Sequence, residues 1–149
     1  MEENLHACCI SLEGRGVLLL GESGSGKSDL ALRLIRRGAL LVADDYVNLK
    51  VKDGQLIATA PDTIRGLLEV RGIGVVQMTA ELQAPVMLAV QLTKEATSVV
   101  RLPQPQQIAL LGRKIPVISL YAFEAAAVEK VTIALDIVAG DVTLVEGGL

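Results

Sequence analysis

Residues Gly21-Glu22-Ser23-Gly24-Ser25-Gly26-Lys27-Ser28 satisfy the phosphate-loop pattern G-x-x-x-x-G-K-[ST]. This stretch constrains the fold more than any other. It follows the apolar run Val17-Leu18-Leu19-Leu20 and opens a helical pattern over Lys27–Arg37, so a strand, a loop and a helix must occur in that order. Glycines let the backbone close around an anion. The N–H groups of about Gly24 to Ser28 then point at it, and the helix dipole adds positive potential. Lys27 supplies a point charge for β- and γ-phosphates, and the Ser28 hydroxyl is suited to Mg²⁺.

A chain of 149 residues fits one domain around one core, so residues 1–149 are expected to form a single unit. Its hydrophobic content is 51%, with 2% aromatics, which favours a buried sheet flanked by helices. The net charge of −3 argues against a nucleic-acid interface, and the shortage of aromatics argues against a stacking platform. No run of about 18 apolar residues suggests a membrane span. The start, Met1-Glu2-Glu3-Asn4, lacks the positive region of a signal peptide. The adjacent Cys8 and Cys9 read as buried thiols in a reducing compartment. A cytoplasmic protein is expected.

The pattern predicts strands over Leu5–Leu12 and Gly16–Leu20 around a turn at Glu13-Gly14-Arg15. Leu40–Ala43 reads as a third buried strand. Tyr46–Val51 and Gln55–Thr59 read as a hairpin around Asp53-Gly54. Further strands are expected at Leu67–Val70, Pro85–Leu92 and Ile115–Leu120, with a turn or short helix at Asp62–Gly66. Arg101–Leu111, with two prolines, reads as loop or short helix, and Phe123–Ala139 as the last helix. The fold class expected is α/β, with a mixed central sheet around the phosphate loop.

Three further groups of residues carry chemistry. Asp44-Asp45 ends a buried strand, where open α/β sheets bind ligands. Two adjacent acids point in different directions, so one can hold a metal while the other orients a hydroxyl nucleophile. His6, the single histidine, could act as an acid/base or bind phosphate, but by itself reads first as an ordinary strand residue. Glu69-Val70-Arg71-Gly72-Ile73-Gly74 would put Glu69 and Arg71 on one face of a strand. They could hold Mg²⁺ and a phosphoryl group, or simply pair with each other.

Taken together, Gly21–Asp45 resembles the nucleotide-binding core of the HPr kinase/phosphorylase family. Leu68-Glu69-Val70-Arg71-Gly72-Ile73-Gly74-Val75-Val76 looks like that family's signature stretch, and His6 falls 21 residues before Lys27, where the family has a histidine. The resemblance runs from about His6 to Ile118. It implies a fold like that of phosphoenolpyruvate carboxykinase. It also implies a serine kinase that uses ATP and Mg²⁺ on the histidine-containing phosphocarrier protein HPr. By position, Gly21, Glu22, Ser23, Gly24, Ser25, Gly26, Lys27 and Ser28 would hold the nucleotide. Ser28, Asp44 and Glu69 would hold Mg²⁺, and Asp45 would be the general base. His6, Arg71 and Arg101 would surround the transferring group. The resemblance further implies a homo-oligomer, a hexamer in the family.

Two departures qualify it. The chain begins at the catalytic domain, as does the short α-proteobacterial form of the family. After the late strand, Tyr121-Ala122-Phe123-Glu124-Ala125-Ala126 stands where the family has an Arg/Gly-rich stretch tied to phosphorolysis, so kinase activity is expected and phosphorylase activity doubted. The competing readings are a phosphate-loop kinase for a small metabolite and a non-catalytic nucleotide sensor.

Overall fold

The strand period of two explains most of the architecture. Along each central strand, successive apolar side chains face opposite sides and enter different cores. The structure, a computed structural model, describes residues 1–149. Strands β1 (Glu2–His6), β2 (Cys8–Leu12) and β3 (Arg15–Leu20) lead through the phosphate loop into helix α1 (Lys27–Ile35). Then come β4 (Leu40–Ala43), β5 (Tyr46–Lys52), β6 (Gln55–Thr59), β7 (Leu67–Val70), β8 (Gly74–Gln77) and β9 (Gln83–Leu92). β10 (Gln106–Leu110), β11 (Arg113–Leu120) and helix α2 (Ala127–Ala139) complete the elements.

The main sheet has nine strands, with β1-β5-β6-β9-β3-β2-β4 in order and β11 and β10 branching from β9. β9 is parallel to β3 and β11 and antiparallel to β6, so the sheet is mixed, as expected. Its first residues pair with β6 and its last with β11, along the same edge. One long strand thereby joins two curling halves. Cys8, Ile10, Val17, Leu19, Leu88 and Val90 face α1 and α2, where they meet Leu30, Leu34, Val131 and Leu135. Cys9, Leu18, Leu20 and Ala89 face the other way, against Val42, Val47, Leu49 and Leu56. Burial of each such leucine contributes about 1.5–3 kcal/mol, and no aromatic ring is needed in either core.

Four expectations need correction. The strand predicted over Leu5–Leu12 is two strands, parted at Ala7, because β1 pairs with β5 while β2 pairs with β3 and β4. β7 ends at Val70 and does not carry Arg71 on its face. Its turn has a Val70 carbonyl accepting from Ile73 N–H at 3.0 Å, with Gly72 at φ 90°, and returns as β8. Arg71 therefore sits in the turn and not on a strand face beside Glu69. Arg101–Leu111 contains β10, paired with β11. Finally, α2 begins at Ala127, four residues later than predicted.

The split at Ala7 is what builds the site. β4 runs into β5 through Asp44-Asp45 just as β2 is approached through Ala7, so both chains change sheet halves at one corner. Ala7 N–H donates to the Asp45 carbonyl at 3.0 Å, tying the two crossings together. Tyr46 N–H donates to the Asp44 carbonyl at 2.8 Å with Asp45 at φ 70°. That is a γ-turn centred on a non-glycine residue, a strained conformation held by the strands on either side.

Candidate active site

A cleft of about 400 Å³ opens at this corner, lined on one side by Gly24, Gly26, Lys27 and Ser28 and on the other by His6 and Asp45. Glu69, Val70 and Arg71 from the β7–β8 hairpin reach it as well, and Cys8 and Phe123 complete it.

The loop has the shape its glycines require. Gly24 and Gly26 take φ of 84° and 98°, and Gly26 caps α1 with no side chain spent on the helix N–H groups. Those donors and the positive end of the helix face the cleft. Lys27 is buried and donates to the carbonyls of Gly21 and Glu22, at 2.7 and 3.1 Å. Ser25 Oγ is buried inside the loop without a hydrogen-bond partner. An anion with several oxygens suits this donor set.

Asp44 is 7% exposed. Its Oδ1 accepts from Ser28 Oγ at 2.7 Å and from the Cys8 thiol at 2.9 Å, and its Oδ2 from Glu69 N–H at 3.2 Å. All three donors are neutral. Burying a carboxylate without them would cost several kcal/mol. The carboxylate thus ties α1, β2 and β7 to the end of β4. Asp45, next in sequence, points elsewhere. Its side chain is 66% exposed and accepts from, or pairs with, His6 Nε2 at 2.9 Å. The His6 ring leans on Tyr46, with centroids 5.3 Å apart.

The oxygens of Ser28, Asp44 and Glu69 are the hard donors Mg²⁺ prefers. No three His, Cys, Asp or Glu side chains form a closed metal cage here. That fits Mg²⁺, which commonly takes one or two carboxylates and completes its shell with phosphate oxygens and water. The residues present therefore fit a Mg²⁺–polyphosphate and not a free-standing metal centre.

Of the residues singled out from sequence, the structure brings His6, Ser23, Gly24, Gly26, Lys27, Ser28, Asp45, Glu69 and Arg71 to the cleft. Asp44 lies directly behind them. Gly21, Glu22 and Ser25 form the rear of the loop, with Glu22 paired to Lys94 at 3.4 Å. Arg101 does not line the cleft and is exposed in the irregular segment before β10. Cys8 was missed as a site residue, since a thiol in an apolar run carries no pattern of its own. Its position two residues after His6 on the same chain face was the available signal.

Burial pushes the Cys8 thiol up to about 12 from the usual 9.0, aided by the Asp44 charge and the hydrogen bond donated to it. Burial also raises Cys9. Between about 9 and about 12 the folded protein therefore holds a Cys8 proton that the unfolded chain releases. This contribution to stability is fully present below 9 and is lost as pH rises through that window. Urea midpoints at about pH 8 and about pH 11 should differ more for wild type than for Cys8→Ser, which keeps the donor but does not titrate. Equal shifts would show that Cys8 is not held protonated by the fold.

The HPr Serine kinase C-terminal domain family matches residues 1–143. The "HPr kinase/phosphorylase" of Clostridium beijerinckii is 50% identical over 78 residues, which are 52% of this chain and 26% of that protein. The protein of the same name from Clostridium perfringens strain SM101 is 48% identical over 79 residues, 53% of this chain and 26% of the relative. The chain thus spans about a quarter of the length of the curated relatives it matches. Among solved structures, the "Hpr(Ser) kinase/phosphatase from Coxiella burnetii" aligns with a TM-score of 0.78 at 28% identity, covering 89% of this chain and 87% of that one. The α/β fold, with its mixed sheet and phosphate loop, is the fold of that structure. With the family match covering nearly its whole length, this chain belongs to the HPr Serine kinase C-terminal domain family.

Proposed function

We propose that this chain is an ATP- and Mg²⁺-dependent protein-serine kinase domain whose acceptor is HPr or a related phosphocarrier. The observation that carries the reading is the pairing across one cleft of a phosphate loop with an exposed carboxylate, Asp45, backed by His6. The names of the relatives supply HPr as the acceptor.

In this reading the loop amides and Lys27 hold the β- and γ-phosphates. Ser28, Asp44 and Glu69 would hold Mg²⁺, which when bound neutralises charge on the phosphate oxygens. Asp45 orients the acceptor serine and takes its hydroxyl proton as the serine oxygen bonds to the γ-phosphorus and ADP leaves. His6 holds the Asp45 carboxylate in place through Nε2. Arg71 lines the cleft from the turn of the hairpin and would meet the transferring group there. Arg101 would join only if its exposed segment moved toward the cleft when the acceptor docks.

The exposure of Asp45 distinguishes this from a small-metabolite kinase, which gains by enclosing its acceptor away from water. An open base suits a serine presented on a protein surface. A cytoplasmic location and a hexameric assembly belong to the same proposal and rest on the resemblance. So does kinship with the short α-proteobacterial form. No helix is long and apolar enough to cross a membrane.

Phosphorolysis would need inorganic phosphate held beside phosphoserine, two anions in close approach. The cations that line the cleft are Lys27 and Arg71. Arg33 reaches the Tyr121–Ala126 stretch, but its guanidinium donates to the Ala122 and Glu124 carbonyls. Lys130 is paired with Glu124. We therefore propose a kinase with little reverse activity.

Asp45→Asn should cut phosphotransfer from labelled ATP to HPr by about 10²–10⁴-fold while Mg²⁺-ATP binding stays near wild type. A comparable loss of ATP affinity would make Asp45 a metal ligand, and unchanged transfer would favour a nucleotide sensor. With phosphoserine-HPr, Mg²⁺ and millimolar phosphate, pyrophosphate release should be far slower than the forward reaction. Release at a similar rate would overturn the one-directional reading.

A further inference from the structure

Phe123 is the single phenylalanine of a chain with 2% aromatics, and it is 52% exposed. It belongs to neither hydrophobic core. An exposed apolar residue alone is ordinary. This one differs because it lines the same cleft as the phosphate loop and is held in place there. Tyr121 meets its ring edge-on, with centroids 5.6 Å apart at 74°. The peptide groups on either side are pinned to α1 by Arg33, which donates to the Ala122 carbonyl and, at 3.0 Å, to the Glu124 carbonyl. Arg33 is itself set by Asp29 at 3.5 Å. The ring lies over the loop so closely that a Cβ on Gly26 would come within 3.0 Å of Phe123 Cζ.

From this geometry we propose that Phe123 is the platform on which the nucleobase of the bound nucleoside triphosphate stacks. The inference rests on the kinase reading above and names the residue that selects a nucleotide over a bare polyphosphate. A phenyl ring has no hydrogen-bond donor and offers a phosphate group nothing. The part of a nucleotide that gains from a flat apolar face is its flat base. Leu32 on α1 lines the cleft too and extends the apolar surface. Because the ring is fixed before the ligand arrives, little side-chain freedom is lost on stacking. Stacking on an aromatic ring is tolerant of base identity, so the site recognises a nucleobase as a class.

Calorimetric titration with Mg²⁺-ATP and with Mg²⁺-tripolyphosphate separates the base from the phosphates. Phe123→Ala should weaken ATP by roughly 5- to 100-fold and leave tripolyphosphate within about twofold of wild type. Phe123→Tyr should bind ATP like wild type. Phe123→Leu, which keeps apolar bulk if alanine unsettles the fold, should show the same selective loss as alanine. Equal loss for both ligands, or no loss for ATP in either variant, overturns the inference while leaving the kinase reading standing. Wild-type protein that binds neither ligand overturns the kinase reading and this inference together.

Discussion

The Asp44 carboxylate is the constraint on which the site depends. A charge held this far from water must be met by donors, and here they come from three separate parts of the chain. Ser28 arrives on α1, Cys8 on β2 and the Glu69 amide on β7. Satisfying one buried group therefore fixes the loop, the corner and the signature hairpin relative to each other. The same hydrogen bonds leave Asp45 turned outward, since adjacent side chains at the end of a strand diverge. One acid holds the parts of the site together, and the other stands exposed in the cleft. The γ-turn strain at Asp45 is the cost of this division, offset by pairing of β1 with β5 and by the Ala7 amide.

Much of this was legible in the sequence because the residues concerned have little freedom. The two fixed glycines of the phosphate-loop pattern, Gly21 and Gly26, both take positive φ, so its spacing survives as a readable pattern. The hairpin around Asp53-Gly54 and the strand Leu40–Ala43, buried from Leu41 on, follow from turn chemistry and periodicity. The division of Leu5–Leu12 did not, because Leu5 and Ala7 extend the apolar run of β2 backward whether or not the strand changes partners there. β8 is short and largely exposed, with Val75 in solvent, so nothing in its polarity marks it as paired. The stretch before α2 is rich in alanine and reads as helix. Arg33, distant in sequence, holds its carbonyls in a turn instead, and that contact positions Phe123.

Cys8 and Phe123 share a reason for having been overlooked. Neither acts through a motif. Each matters because of what folds against it: Cys8 because Asp44 lies 2.9 Å away, Phe123 because Gly26 lies beneath its ring. The aromatic residues of this chain are two tyrosines and one phenylalanine, and none is in a core. Phe123 lines the cleft, Tyr121 braces it, and Tyr46 stands beside His6. The scarcity of aromatics, which speaks against an extended stacking surface, is compatible with a single placed ring.

The most direct test of this account compares Mg²⁺-ATP dissociation constants of wild type, Asp44→Asn and Asp45→Asn, with folding checked by circular dichroism. If Asp44 organises the loop and the metal side while Asp45 serves the acceptor, Asp44→Asn should weaken Mg²⁺-ATP by about 10- to 100-fold. Asp45→Asn should bind it nearly as wild type does. Folded Asp44→Asn protein with wild-type Mg²⁺-ATP affinity would contradict the central role given to that carboxylate.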